Sequence, residues 1–413
     1  MKRTLFPKAS AAQSQSGKTG LTAAFSLVQA PYWMTYCVAV SFAAVYLQGL
    51  GYANARLGLI LAAGSLLGAV LGPLLSARID RSPQLTARLY PWLLAAQAAT
   101  LLALVCRPYQ GPVASWGFLL YIAVSTPVNS LNLKLYSDAV HAGRAIDYGF
   151  TRGIGSLGFV LVSVSLGFLV ERLSVRVVPL AGLLICLLQL LSFLRFRRLA
   201  PAVRAGGGGD GPQSSSLPAF VAKNRRFCVL LLGTALMFFS HNAVGNFLIN
   251  VVRNVGGDTG AMGVLNGFMA AMEIPMMLLY SRILRREGNL ALRLAFVFFS
   301  LKACAIAAAV TIPQLAAAFV LQAPSFALYT AAIVPYVSRT VPHEDSAKAQ
   351  SLAYTMTTVG SVLASLLAGR LYDALPVTAT LWIAAGVCLA GSVISLLGTA
   401  GSAALRDRSL RQN

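Results

Sequence analysis

Long apolar runs separated by short polar breaks repeat along this 413-residue chain. They fall at approximately 22–46, 56–77, 87–106, 113–136, 149–170 and 177–196, then at 227–252, 260–281, 290–312, 314–338, 348–369 and 377–401. Each is near the roughly 20 residues that an α-helix needs to cross the hydrocarbon of a bilayer. In lipid every backbone polar group must be satisfied within the segment, so these runs are predicted to be helices. The pattern predicts an all-α membrane protein of twelve transmembrane helices in two six-helix bundles.

The break between the sets, from Arg197 to Arg226, holds Gly206–Gly209, Asp210, Gly211, Pro212 and Ser214–Ser216, a composition expected of a flexible linker. The predicted organisation is a disordered tail at 1–20, bundles at 21–198 and 226–402 joined by a linker at 199–225, and a second tail at 403–413. An internal repeat supports duplicated halves. Leu75-Ser76-Ala77-Arg78-Ile79-Asp80-Arg81 closes the second run, and Tyr280-Ser281-Arg282-Ile283-Leu284-Arg285-Arg286 closes the eighth about 204 positions later. Gly155-Ser156 recurs as Gly360-Ser361 at an offset of 205. Gly64, Gly68 and Gly72 line one face of the second run, and Gly153, Gly155 and Gly158 lie in the fifth. Small residues let helices approach closely where lipid supplies no hydrophobic drive for association.

Composition changes the picture in one respect. With 57% hydrophobic and 11% charged residues the chain has too little polar surface for a soluble globule. The formal charge of +21 would suit nucleic acid, but its placement does not. Of 33 Lys and Arg, 24 lie in segments on the side of the N-terminus, 6 on the opposite side and 3 within runs. This asymmetry follows the positive-inside rule and predicts a cell membrane protein with both termini cytoplasmic. No nucleic-acid partner is expected. All six Cys lie in apolar runs without metal or disulfide spacing, and residues 1–20 lack the apolar core of a signal peptide.

Candidate chemistry lies in the polar residues that cannot reach an interface. Eleven of twelve acidic residues are in or near loops, tails or run ends; the exception is Glu273, in the middle of the eighth run. A lone carboxylate there must meet a cation or take up a proton, so it is either a proton-handling group or half of a structural ion pair. Lys302, deep in the ninth run, is its expected partner. The seventh run carries a polar stripe of His241, Asn242 and Asn246, where His241 is either a proton relay or an interhelical hydrogen-bonding group. Arg152 stands one turn into the fifth run, followed by Phe159, and its planar fork suits a carboxylate or sugar hydroxyls. Gln29, Trp33 and Tyr36 share a face of the first run, lining a cavity or belonging to an interfacial aromatic belt. Lys134 and Asp138, four apart, are expected to form a structural or gating ion pair.

These residues carry a resemblance. Gly72-Pro73-Leu74 to Asp80-Arg81 resembles the loop signature of the major facilitator superfamily, with Ser76 where a glycine is usual. Asp147 to Phe159 is similar to the fifth helix of its lactose permease, nucleoside symporter and phenylpropionate permease branch. Glu273-Ile274-Pro275 is similar to the eighth, and Gln350-Ser351 through Gly360-Ser361 to Asp373 to the eleventh. The resemblance implies that Arg152 and Glu273 contact substrate, that Phe159 stacks on it, and that Lys302 occupies a cation position. Where that branch carries a His and a Glu in the tenth helix, this chain has Gln322 and Ser325. Lys134 replaces a carboxylate of the fourth helix, and Thr357 stands near the place of a Lys in the eleventh.

The expected function is secondary transport by alternating access, proton-linked import of a small organic solute such as an aromatic carboxylate, glycoside or nucleoside, with Asn246 also lining the site and Asp80 and Arg81 acting in gating. An exporter or a facilitative uniporter on the same scaffold is the alternative. No nucleophile with a neighbouring base appears, so an enzyme is not expected. No cofactor beyond a proton gradient is expected, and the partners are the lipid bilayer and a small-molecule substrate, with a monomer as the default.

Overall fold

A computed structural model describes residues 9–79, 83–142, 144, 146–199, 216–280, 288–342 and 345–399. Among the described residues the chain is helical throughout. Span 1 comprises Ala9–Tyr36, a wide π turn at Cys37–Ser41 and Ala43–Gly49, bent by 44°. Spans 2 to 6 are Asn54–Ile79, Pro83–Cys106, Pro112–His141, Tyr148–Arg172 and Val177–Leu199. Span 7 is Arg225–Gly245 with Leu248–Asn254, and span 8 is Thr259–Ala271 with Glu273–Leu279. Span 9 is Gly288–Ala308; span 10 joins Ile312–Val320 and Leu328–Thr340 through a π turn at Ala323–Ala327. Spans 11 and 12 are Ser346–Ala374 and Val377–Thr399.

Among the described residues nine helices are long and apolar enough to cross a membrane, ten with the bent first pair. The other two runs, spans 4 and 8, are those that carry Asn129, Asn132 and Lys134, or Glu273 at a break, into the middle of the fold. The order is consistent with twelve crossings. Burial is inverted relative to a soluble globule. Leu161, Leu184 and Leu232 are exposed, while Gln97, Asn132 and Gln189 are fully buried. The apolar exterior is the surface that lipid solvates, and the buried amides need partners inside.

Those partners tie each half together. In the first half Tyr90 stacks on Phe193 with ring centroids 4.1 Å apart, and its hydroxyl donates to Asn132 Oδ1 at 2.7 Å. Gln189 Nε2 donates to the same hydroxyl at 3.1 Å. This links spans 3, 4 and 6. In the second half Ser300 donates to Ser392 at 2.8 Å, joining spans 9 and 12. The glycine stripe of span 2 packs on span 4, where a Cβ on Gly68 would stand 3.0 Å from the Ala123 carbonyl oxygen.

The halves meet at the end opposite the start of span 1, here the distal end. Spans 2 and 11 cross there, as do spans 5 and 8; a Cβ on Gly167 would lie 2.9 Å from Gly263 Cα. Ser163 Oγ donates to the Gly263 carbonyl at 2.9 Å. Gln48 Nε2 donates to Asn250 Oδ1 at 2.7 Å and Asn250 Nδ2 to Asn54 Oδ1 at 2.9 Å, stitching spans 1, 2 and 7.

Two sequence expectations change. The disordered tail at 1–20 gives way to helix from Ala9. The linker at 199–225 is not wholly flexible, because Leu217–Lys223 is helical and Phe220 is buried against the second half, with its ring 6.3 Å from Phe227. A buried aromatic anchors what the Gly/Ser composition marked as loose. Asp80 and Arg81, the repeat segment from Ser281 to Arg286, residues 200–215 and the extreme tails lie outside the described residues.

Candidate functional site

Between the halves lies a cavity of about 450 Å³, lined by spans from both. Its charged lining among the described residues is Arg152, Glu273 and Lys302, accompanied by His241. The rest is aromatic, small or amide, including Tyr32, Trp33, Tyr36, Phe159, Phe326 and Tyr354. The distal contacts seal it at one end, and Tyr354, 66% exposed, sits toward the other.

Arg152 is set by the start of span 5, where the Asp147 carboxylate accepts from the Phe150 amide at 3.0 Å and fixes the first turn. One turn later the guanidinium lies 3.8 Å from the Trp33 ring centroid and donates through one amino group to Ser156 Oγ at 2.7 Å. Trp33 is itself braced edge-on by Tyr32 and Tyr36, at 5.3 and 5.6 Å. A guanidinium held over an indole with one amino group bound to Ser156 has further N–H donors that a planar anion could use.

Glu273 opens the second part of span 8. Pro275 lacks the N–H that would bond to Ala271, and the helix breaks at Met272, directly before the carboxylate. Pro324 acts alike in span 10, where the π turn Ala323–Ala327 follows Gln322. The two breaks bring Gln322 Nε2 to Glu273 Oε1 at 3.0 Å. Gln322 Oε1 accepts from Lys302 Nζ at 2.9 Å, and Lys302 Nζ also meets His241 Nδ1 at 3.1 Å. An ammonium only donates, so Nδ1 is the acceptor and the imidazole proton sits on Nε2. The His241 ring stacks on Phe326 at 4.9 Å. Four spans thus supply one continuous chain: His241, Lys302, Gln322, Glu273.

The direct pair expected between Glu273 and Lys302 is replaced by this bridge: no ion pair joins them among the described residues, because the Gln322 amide occupies the gap. Phe159, Trp33 and Tyr36 line the cavity as expected. Gln29 does not. It is 2% exposed, absent from the lining, and its Oε1 is buried without a hydrogen-bond partner. Asn246 borders the cavity, but its amide is committed to Ser365 Oγ at 2.8 Å, a contact between spans 7 and 11. Lys134 and Asp138 pair at 2.7 Å outside the cavity, which removes Lys134 from its charge balance. Ser325 turns away, donating to the Leu321 carbonyl at 2.6 Å.

Gln322 entered the sequence reading only as the residue standing in place of a tenth-helix His or Glu, without a site role, and Tyr354 did not enter it. The signals for Gln322 were that correspondence and an amide two residues before a proline inside an apolar run; for Tyr354 there was none beyond its place in span 11.

Comparison with known proteins completes the picture. A family model described as the MFS_1 like family matches residues 42–383. A probable 3-phenylpropionic acid transporter of Escherichia coli (strain K12) is 27% identical over 261 residues, 62% of this chain and 65% of that protein. The match therefore spans just under two thirds of that relative's length. The crystal structure of the nucleoside transporter NupG in its D323A form superposes with a TM-score of 0.77 at 16% identity, over 92% of this chain and 99% of that one. The POT family transporter PepTSo gives 0.71 at 10% identity, over 92% and 97%. At such identities these two show the fold.

Proposed function

Because the chain belongs to the MFS_1 like family, and so is a membrane transporter rather than an enzyme, we propose that it carries a small aromatic monocarboxylate by alternating access. The cavity's charge balance is the observation that supports this most directly. Two cations, Arg152 and Lys302, face one carboxylate, Glu273, in a space of about 450 Å³. With His241 neutral the site holds one net positive charge, which a monoanion balances. A ring fits among Trp33, Phe159, Phe326 and Tyr354 while its carboxylate meets the free donors of Arg152. The relative that the chain resembles over 62% of its length has the same class of cargo in its name.

The two halves rock about this site. The contacts at the distal end close that side, so the state described is open toward the end where spans 1 and 7 begin. Lys and Arg are concentrated on that side, which makes it cytoplasmic and the state inward-facing. Proton linkage rests on Glu273. Protonating it removes the charge that Gln322 serves and changes the balance of the Lys302 chain. A proton shifts the rocking equilibrium only by its different affinity for the two states. The whole cavity comes from one chain, so a monomer suffices.

Purified protein in liposomes tests the reading directly. Uptake of labelled 3-phenylpropionate, raised by an inward proton gradient and competed by other aryl carboxylates but not by nucleosides or sugars, is the expected result. Competition by a nucleoside alone would replace the substrate class.

A further inference from the structure

Two carboxylates stand at the unfavourable ends of their own helices. Asp373 lies in the last turn of span 11 and Glu171 in the last turn of span 5. The unpaired carbonyls of a helix C-terminus carry partial negative charge, so an acid there is repelled by its own helix. Each side chain instead reaches the opposite kind of helix end in the other half. Asp373 Oδ1 accepts from the Asn54 backbone amide at 3.0 Å and from its side-chain amide at 2.9 Å, while Oδ2 accepts from the Ala55 amide at 2.7 Å. Glu171 Oε2 accepts from the Thr259 amide at 3.1 Å. Asn54 and Thr259 are the first residues of spans 2 and 8.

The two contacts join corresponding spans of the duplicated halves, although the acids themselves, 202 positions apart, fall three residues short of the offset that relates their partners. Span 5 corresponds to span 11 and span 2 to span 8. Asn54 and Thr259 are 205 positions apart, the offset that also relates Gly155 to Gly360. Local preference is violated twice, at the ends of corresponding spans, and satisfied both times across the boundary between halves. Neither acid touches the cavity.

We infer that Asp373 and Glu171 are paired latches that hold the distal end shut and must release each time it opens. This rests on the alternating-access reading. The contacts are of a kind that makes and breaks readily: Asp373 is exposed, so water replaces its partners when the helices part. The glycine crossings set how closely spans 2 and 11, and 5 and 8, approach; the carboxylates supply directional attraction at the rim. The neighbouring amides of Gln48 and Asn250 reinforce the first latch through Asn54, and Arg253 donates to Gln48 Oε1 at 3.1 Å.

Sidedness of labelling tests this. In a Ser65→Cys background, where position 65 lines the cavity on span 2, a membrane-impermeant maleimide is applied to the distal face of intact cells, and modification is read peptide by peptide. Native Cys106, exposed at the distal end of span 3, serves as internal control. Asp373→Ala and Glu171→Gln are each expected to raise labelling at position 65 several-fold, and the double variant more than either, with Cys106 unchanged. Asp373→Glu, which keeps the charge, is expected to stay near the parent. Unchanged labelling at position 65, or an equal rise at Cys106 reflecting general loosening, overturns the latch. If Asp373→Ala does not fold, Glu171→Gln decides alone. The substrate reading fails separately, on uptake by the parent protein, and leaves this result standing.

Discussion

The Gln322 amide stands between Glu273 and Lys302, giving its N–H to one at 3.0 Å and its carbonyl to the other at 2.9 Å. Opposite charges that could have met directly are held one side chain apart. Lys302 keeps a donor and Glu273 keeps an oxygen for the cavity, and the bridging group itself cannot change charge.

Gln322→Glu adds a negative charge and brings the cavity to zero net charge. Affinity for an aryl carboxylate is expected to fall about tenfold or more, equivalent to roughly 1.4 kcal/mol. Affinity for an uncharged analogue should hold. The half-saturating concentration for uptake of the acid and of its amide is the measurement.

Arg152→Lys preserves charge but loses both the planar fork and the guanidinium contact over Trp33. Binding of the carboxylate should weaken by about 1.5–3 kcal/mol, the range of a lost charge-assisted hydrogen bond. Quenching of tryptophan fluorescence during titration reads it, and an unaltered curve would remove Arg152 from the site.

Glu273→Gln keeps an oxygen to accept from Gln322 but has no titratable proton. Exchange of labelled for unlabelled substrate should persist, while accumulation driven by an imposed pH gradient disappears. Undiminished accumulation would place the coupling group elsewhere.

Tyr90→Phe leaves the stack on Phe193 in place and strips the hydroxyl from Asn132 and Gln189. With two buried amides each losing a partner, stability should fall by about 1–3 kcal/mol. Substrate affinity should be unaffected, because none of these residues lines the cavity. Thermal melting with and without substrate separates the two effects.

The spans, the duplication and the charged members of the site were legible because hydrocarbon leaves few reasons to keep Arg152, Glu273 or Lys302 in an apolar run. Partners were harder to read. Gln29 falls on the same face as Trp33 and Tyr36 on a helical wheel, yet a helix inside a bundle has two destinations for a polar side chain, the cavity and the contact with a neighbouring helix. Periodicity does not distinguish them, and Gln29 is buried away from the cavity. Asn246 shows the same ambiguity resolved toward Ser365. The bridge through Gln322 depended on two proline breaks meeting across spans 8 and 10, a register that only packing fixes. In the sequence Glu171 and Asp373 look like ordinary residues at run ends, because a sequence does not show which foreign helix end a terminal carboxylate will meet.

The breaks at Pro275 and Pro324 have a consequence for how such a carrier diversifies. Each interrupts its helix next to a site side chain, Glu273 before Pro275 and Gln322 before Pro324, so position 322 stands at a break and not inside a regular turn. A glutamine codon lies a single base change from codons for glutamate, histidine, lysine and arginine. Descendants of this chain can therefore change the ionic character of their cargo by one mutation, with the rest of the scaffold inherited intact.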